Sequence, residues 1–338
     1  MAMTIYDISK KAGVSIATVS RVLNGSENVR PSTRKKVMDV IDKYDYTPNA
    51  FARGMGLHSL KTIGILCADS SDLFLAKAVY FLEQELQANG YESLLCCTGY
   101  NPDIKKNYLN LILSKKVDSI ILVGSHFIGF NEDENQYIKD VSTQVPIMLL
   151  NASFDHPNVY STLCDDYGTM FEAATEMIQS GITDILYLYD SKSYSGLKKL
   201  HGFCDAMKEH NIPGFEKLIH FYDGNIEHLN EVADFVARIA TKDTSFHGIM
   251  TSDDSLAIGS IKYAQKKGIR IPEELSVMGY NNSMLTNCCT PELTSVDNRL
   301  ETQTHQLVQT LLGVLAGEEM PKKSIFSGKI IKRGTTLF

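Results

Sequence analysis

The sequence predicts an α/β protein in which a small N-terminal helix-turn-helix domain precedes a two-lobed core of doubly wound parallel sheets. Residues 1–58 carry nine basic and five acidic side chains, a net charge of +4, and the rest of the chain carries 24 basic and 35 acidic side chains, a net charge of −11. After residue 61, short apolar runs alternate with amphipathic stretches, a pattern typical of parallel β-α-β units. A basic domain joined to a larger acidic one indicates two parts with different partners.

Bulk composition limits the class of protein further. With 338 residues, 43% of them hydrophobic and 22% charged, the chain has the size and composition of a soluble protein with more than one domain. No apolar stretch approaches the roughly 18 residues of a membrane span, and no apolar signal core opens the chain, so we expect a cytoplasmic protein without a membrane partner. The seven cysteines and nine histidines lack metal-ligand spacing, so neither metal nor cofactor is predicted, and the cysteines are expected to be mostly small core residues.

The first two helices are predicted from their capping residues. Thr4 and Asp7 form an N-cap pair, and the helix that they open ends at Gly13, which permits a tight turn. Ser15 caps a second helix that runs to Leu23. Two short helices around a turn of three or four residues predict a helix-turn-helix, whose second helix enters the major groove of double-stranded DNA.

The outward face of the second helix offers side chains suited to DNA. Arg21 can donate two hydrogen bonds to a guanine edge, and Ile16 and Ala17 can contact thymine methyl groups. The hydroxyl side chains expected to bind phosphates are Tyr6, Ser15, Thr18 and Ser20.

A third helix is predicted from Pro31 to near Tyr44, and Pro48 then breaks the pattern. The run TIYDISKKAGVSIATVSRVLNG, followed by YTPNAFARGM, resembles the DNA-binding domain of the LacI–GalR family of bacterial transcription regulators. The resemblance implies that residues 49–55 form a hinge helix, which folds on the operator and inserts a side chain into the minor groove. Met55 stands where the family has leucine, and the glycines on either side of it weaken the helix. Further residues expected to contact DNA are Asn24, Tyr46, Asn49, Ala52 and Met55.

The core is predicted to begin at residue 59. Strands are expected at 62–67, 91–97, 117–123, 145–150, 184–189, 248–251, 275–280 and 324–332, with helices at 74–89, 103–114, 167–180 and 255–267. A break near residues 151–160 suggests two lobes, the first comprising about 61–155 with 292–318 and the second about 156–291 with 319–338. Ligands of such sheets bind at the carboxyl ends of the strands, which here would face a cleft between the lobes.

The core stretches KTIGILCADSSDLFL, KKVDSIILVG, DDYGTMFEA, KKLHGF, TSDDSLAIGSI and LSVMGYNN resemble the effector-binding core of the same family, which is similar to periplasmic sugar-binding proteins. Two positions depart from the family, since Lys199 replaces an arginine and Asn281 an aspartate. Amides and acids bind hydroxyls well, so a sugar is the expected effector, and a phosphorylated or acidic sugar is also allowed. The resemblance implies effector contacts at Asn151, Lys199, Asp253 and Asn281, with walls at Ser70, Phe74, His126, Phe154 and Tyr222.

The sequence therefore predicts a repressor of carbohydrate-utilisation genes that binds a pseudo-palindromic operator as a homodimer. Effector binding would close the lobes and separate the paired hinge segments. A sugar-binding transport protein is one alternative, but it requires a signal peptide and no DNA-binding domain. A hydrolase that uses the cleft is another, but no nucleophile with an adjacent base stands out, so the protein is not predicted to be an enzyme.

Overall fold

The computed structural model describes residues 3–23, 26, 28–46, 59–241 and 244–338. The chain divides into two compact units, one comprising residues 1–62 with 116–118 and the other residues 63–115 with 119–338. We refer to residues 3–46 as the head and to the larger unit as the core. None of the helices in the described ranges is long and apolar enough to cross a membrane.

The head contains three helices, α1 (Ile5–Ala12), α2 (Ile16–Leu23) and α3 (Pro31–Lys43). Thr4 and Asp7 form the predicted capping box, and Gly13 takes the left-handed conformation, with φ of 67°, that allows the turn. The backbone amide of Thr18 donates to Ser15 Oγ over 3.2 Å, so Ser15 caps α2 as predicted. The three helices pack around buried apolar side chains, namely Ile8, Val19, Val22, Val29, Val37, Ile41 and Tyr46.

The core alternates strands and helices because apolar runs fill its two sheets and amphipathic helices cover their faces. The elements in chain order are β1 (Thr62–Cys67), α4 (Leu73–Ala88), β2 (Glu92–Cys97), α5 (Pro102–Ser114), β3 (Ser119–Val123), α6 (Gln136–Ser142), β4 (Ile147–Leu150), β5 (Val159–Cys164), α7 (Asp166–Gln179), β6 (Ile185–Tyr189), α8 (Tyr194–Glu209), β7 (Ile219–Phe221), α9 (Leu229–Ile239), β8 (Gly248–Thr251), α10 (Asp254–Lys267), β9 (Ser276–Tyr280), β10 (Thr294–Asp297), α11 (Leu300–Leu315), β11 (Lys323–Phe326) and β12 (Lys329–Ile331).

Two six-stranded sheets define the two lobes. The first sheet has the order β11-β5-β4-β3-β1-β2 and the second β12-β10-β9-β8-β6-β7. The pair β10–β12 is antiparallel, whereas β1–β3, β3–β4, β6–β8 and β8–β9 are parallel. The predicted α/β architecture is confirmed, and each sheet buries its own apolar cluster between strands and helices.

The predicted lobe limits are wrong at three strands. Strand β5 lies in the first sheet although residues 156–291 were assigned to the second lobe, and β10 lies in the second sheet although 292–318 were assigned to the first. The predicted strand 324–332 is two strands, β11 in the first sheet and β12 in the second. An apolar pattern marks a strand but not its partner, so the sequence could not assign these edge segments. The chain thus crosses between the lobes near residues 165, 298–299 and 327–328.

The cysteines are less buried than predicted. Cys67 and Cys164 are core residues, but Cys97 and Cys288 are exposed and the other three are half-buried. Edge strand β2 alternates only weakly in burial, which is why an apolar run there does not mark a core position. Within the described ranges, no group of three or more His, Cys, Asp or Glu side chains could hold a metal ion.

Candidate functional sites: a helix-turn-helix surface and an interlobe cleft

The outward face of α2 carries the side chains predicted to read DNA. Arg21, Ala17 and Ile16 are exposed, while Val19 and Val22 on the opposite side are buried. A guanidinium and small apolar groups on one exposed helix face match the contacts that base edges in a major groove offer. The hydroxyl side chains are also at the surface, Tyr6 and Ser15 exposed and Thr18 and Ser20 half-buried.

Tyr46 does not lie on that surface. It is only 8% exposed and packs in the apolar cluster of the head, so its side chain is part of the core of this domain. The aromatic ring closes the cluster where the chain turns back after α3, and its backbone amide donates to the carbonyl of Ile41 over 3.0 Å. The remaining predicted DNA contacts lie outside the described residues, namely Asn24, Asn49, Ala52 and Met55.

A cavity of about 1050 Å³ opens between the two lobes of the core. Its walls come from segments that follow the carboxyl ends of strands, residues 69–73 after β1 and 126–130 after β3 on one side, and 190–193 after β6 and 223–227 after β7 on the other. Parallel strands present their carboxyl ends at the same edge, which is the usual ligand position in such sheets. A recess of about 90 Å³ adjoins this cavity.

Most of the predicted effector residues line these two spaces. His126 and Asp253 line both, and Phe74, Asn151 and Lys199 line the recess together with Asn281. Burial and the charge of nearby Lys105 lower the pKa of His126 to about 4, so its imidazole is neutral at physiological pH.

Three predicted wall residues do not line the cavity. Ser70 is exposed outside it, although its neighbours Asp69 and Ser71 are in the wall. Tyr222 is 5% exposed and belongs to the apolar core of the second lobe, with its ring 5.2 Å from that of Phe235. Successive side chains of an extended segment point in opposite directions. An error of one residue in the prediction therefore selects a side chain that faces the core or the solvent and not the cavity. Phe154 also lies outside the lining and stacks on the ring of His156.

Lys199 is held by the protein rather than free to bind a ligand as the family arginine would. Its Nζ donates to the carbonyl of Ser252 over 3.0 Å and lies 3.9 Å from the ring centroid of Tyr280. The Tyr280 hydroxyl in turn donates to buried Asp166 over 2.7 Å. Burial raises the pKa of Asp166 and the charge of Lys199 opposes that rise, so the lysine also compensates a carboxylate below the recess.

Asn281 pairs with Asp253 at the inner wall. Its Nδ2 donates to Asp253 Oδ2 over 2.8 Å, and its Oδ1 accepts from Asn298 Nδ2 over 3.0 Å. Asp253 also accepts from the backbone amide of Ser255 and so caps α10. Burial and the nearby charge of Asp190 raise the pKa of Asp253. Because a second carboxylate could not donate, the amide is the side chain that this geometry requires where the family has an aspartate.

Several residues of the cavity were not predicted from the sequence. Asp72 caps α4, and Asp190 follows β6 directly. Burial, with the charges of Asp253 and Asp190, raises the pKa of Asp72 to about 6. Asp72 and Asp190 each follow the carboxyl end of a predicted strand, a position that the sequence did reveal. The other missed residues are Tyr100, Phe130, Tyr137 and Asp223. Tyr137 lies within α6, and Asp223 follows β7, which was not predicted.

Comparisons with known proteins agree with this arrangement. Residues 4–49 match the family model of bacterial regulatory proteins of the lacI family, and residues 174–336 match that of a periplasmic binding protein-like domain. A helix-turn-helix-type transcriptional regulator of Lachnoclostridium phytofermentans is 49% identical over 336 residues, covering 99% of this chain and all of the relative. The chain belongs to the LacI family.

Other LacI-family proteins extend the comparison. Catabolite control protein A of Priestia megaterium is 33% identical, over 88% of this chain and 87% of its own. The crystal structure of the lac repressor dimer bound to operator and the anti-inducer ONPF matches with a TM-score of 0.87 at 20% identity, over the full length of both chains, and shows that the fold is shared. This LacI-family chain is a DNA-binding transcription regulator.

Proposed function

We propose that this regulator represses carbohydrate-utilisation genes, and that a sugar bound in the interlobe cleft releases it from its operator. It acts in the cytoplasm as a homodimer on pseudo-palindromic DNA, and it works by binding rather than by catalysis. The cavity between the lobes is the observation that carries the proposal, since it gives a DNA-binding chain a second, separate binding site.

The geometry of α2 supports the DNA-binding part of this proposal. Arg21, Ile16 and Ala17 lie on one exposed face of a helix whose other face is fixed by the apolar cluster of the head. A helix presented in this way reads one half-site, so a two-fold operator calls for two copies of the chain.

The lobe contacts support the regulatory part. The Ser125 hydroxyl of the first lobe donates to Ser193 Oγ of the second over 2.8 Å, beside the recess. Ser191 Oγ of the second lobe lies 3.5 Å from His126 Nε2 of the first. A ligand that binds both walls changes the balance between open and closed lobes by its difference in affinity for the two. Polar side chains on facing walls suit a polyhydroxylated ligand.

The DNA assignment is tested with an operator selected from random duplexes and measured by fluorescence anisotropy. Arg21→Ala is expected to weaken specific binding by about 10- to 100-fold, because a bidentate guanine contact contributes roughly 1–3 kcal/mol. Lys43→Ala, which removes the same charge from the end of α3, serves as the control and should reduce specific and nonspecific binding alike. Unchanged operator affinity of Arg21→Ala would reject the assignment.

The effector site is tested with the same duplex and a panel of sugars. The wild type is expected to lose operator affinity on addition of one sugar, and Asp253→Asn, which keeps a capping side chain for α10, should need at least tenfold more of that sugar. Operator binding without sugar should be retained by the variant. A response to sugar that is identical in both proteins would show that the cleft is not the effector site.

A further inference from the structure

Carboxylates from both lobes converge where the large cavity meets the recess. Asp72 belongs to the first lobe, and Asp190 and Asp253 belong to the second, and all three line both spaces. Asp72 accepts a hydrogen bond from the backbone amide of Leu75 and Asp190 accepts one from the Ser252 hydroxyl. Asp253 accepts two, from the backbone amide of Ser255 and from Asn281 Nδ2. A carboxylate has about four lone-pair sites, so each can accept further donors from a ligand.

The positive side chains in the cavity do not offset this charge. Among the described residues that line the large cavity, seven are acidic and two are lysines. Lys105 Nζ donates to the carbonyl of His126 over 2.6 Å, and Lys192 Nζ lies 4.7 Å from the ring centroid of Phe221. Lys199 in the recess is engaged by a carbonyl and an aromatic ring, as described above. A negatively charged ligand would therefore enter a strongly negative field.

The outer part of the cavity is aromatic. Phe130 is 72% exposed although it stands in the wall, and Tyr100 is also exposed beside the ring of His126, with centroids 4.8 Å apart. Large apolar side chains exposed at the mouth of a cavity mark a binding surface. The C–H faces of a sugar ring are apolar and its rim carries hydroxyls. The acidic inner end of the cavity therefore suits the hydroxyls of one sugar ring, and the aromatic mouth suits the apolar face of the next ring in an oligosaccharide.

The cavity is larger than a single sugar ring fills. Small-molecule pockets span about 300–1,000 Å³, with drug-sized ligands filling much of that range. The volume of about 1050 Å³ reaches the upper end, and it runs from the carboxylates to the aromatic mouth. A monosaccharide at the inner end would leave Phe130 without a partner.

We propose that the effector is an uncharged oligosaccharide of at least two rings, whose inner ring donates hydroxyls to Asp72, Asp190 and Asp253 and whose outer ring packs on Phe130. This rests on the proposed function of the cleft, and it removes the phosphorylated and acidic sugars that the sequence alone allowed. The three carboxylates discriminate against anionic ligands, and Phe130 discriminates against ligands with a single ring.

The test is isothermal titration calorimetry on the full-length protein with matched sugars. The neutral set is cellobiose, cellotriose, xylobiose, mannobiose and maltotriose, and the comparison set comprises their monosaccharides, cellobionate and glucose 6-phosphate. At least one neutral oligosaccharide is expected to bind tenfold or more tightly than its monosaccharide and than both anions. Tighter binding of an anion or a monosaccharide, or no binding by any of the neutral set, overturns the proposal.

Variants locate the effect in the cleft. Phe130→Ala should weaken the oligosaccharide about tenfold and leave its monosaccharide unchanged, whereas Met284→Ala, a similarly exposed side chain outside the lining, should change neither. The double variant Asp72→Asn, Asp190→Asn should show a smaller difference in affinity between the neutral sugar and cellobionate. The assignment of Phe130 is contradicted if Phe130→Ala weakens the binding of the monosaccharide and of the oligosaccharide equally. The assignment of the carboxylates is contradicted if the double variant keeps the wild-type preference for the neutral sugar.

Operator release separates this proposal from the function on which it rests. If glucose 6-phosphate or a monosaccharide releases the operator, the cleft is still an effector site and only the oligosaccharide proposal fails. If an oligosaccharide binds but leaves operator affinity unchanged, the regulatory function fails and the ligand class stands.

Discussion

Replacing Asn281 by aspartate should destabilise the core in a pH-dependent way. The amide donates to Asp253 Oδ2 over 2.8 Å, so Asn281→Asp replaces a hydrogen bond by two facing carboxylates. Two like charges about 4 Å apart repel by roughly 4 kcal/mol at an effective dielectric constant of 20. The lost hydrogen bond to a charged group adds about 1.5 kcal/mol or more when both oxygens stay ionised.

Protonation of one of the two carboxylates limits this cost. In the variant, the pKa of the carboxylate pair is raised above the unfolded value of about 4, so the folded state binds a proton more tightly. Stability relative to wild type is therefore retained near pH 4 and lost as the pH rises, by up to about 1.4 kcal/mol per unit. We expect a loss of about 5 kcal/mol at pH 8 and about 1.5 kcal/mol at pH 5.

Urea unfolding followed by circular dichroism measures these values. The exchanged pair, Asp253→Asn with Asn281→Asp, is the control, because the exchange only reverses which side chain donates, and the new amide would still accept from the backbone amide of Ser255. It should recover most of the stability at pH 8, whereas Asp253→Asn alone should lose a hydrogen bond, because the Nδ2 groups of the two amides then face each other. Wild-type stability of Asn281→Asp at pH 8, or an exchanged pair no more stable than Asn281→Asp, would contradict this prediction.

Three further outcomes are expected. Asp72→Asn keeps the cap of α4 and removes a carboxylate whose pKa is raised to about 6. The melting temperature should therefore rise at pH 8 and stay unchanged at pH 4. Equal shifts of the melting temperature at both pH values would contradict this. Gly202→Ala would place a Cβ 2.3 Å from the carbonyl oxygen of Tyr167, so α7 and α8 must separate and the melting temperature should fall by several degrees; a wild-type melting temperature would show that the helices can yield. Met55→Gly, predicted from the family resemblance, should weaken operator binding and spare nonspecific binding in anisotropy measurements; equal losses would exclude the hinge contact.

Local chemistry made the head predictable. Thr4, Asp7, Gly13 and Ser15 act through contacts within a few residues, so capping and turn geometry could be inferred from spacing alone. Tyr46 was predicted only as a DNA contact, because a tyrosine near the end of a helix fits either a DNA contact or a core position. The packing of all three helices is what places its ring in the apolar cluster.

Long-range pairing limited the prediction of the core. Strands such as β3 and β4 were found from their apolar runs, whereas β5, β7 and β10 were not predicted. Strand β11 pairs with β5, which lies more than 100 positions away in the chain. The cleft was anticipated at the strand ends, yet the contribution of Asp72 and Asp190 depends on how the two lobes face each other. Side-chain direction within a wall segment also required the structure, as Ser70 shows.

The three crossings between the lobes have a consequence for synthesis. The head is complete once residue 46 has left the ribosome, whereas each sheet gains its last edge strand only from residues 323–331. N-terminal domains generally fold first as a chain emerges, so the domain that binds DNA precedes the completed sensor by almost the whole length of the chain. A nascent chain stalled before residue 323 would therefore carry a finished head while both sheets still lack an edge strand.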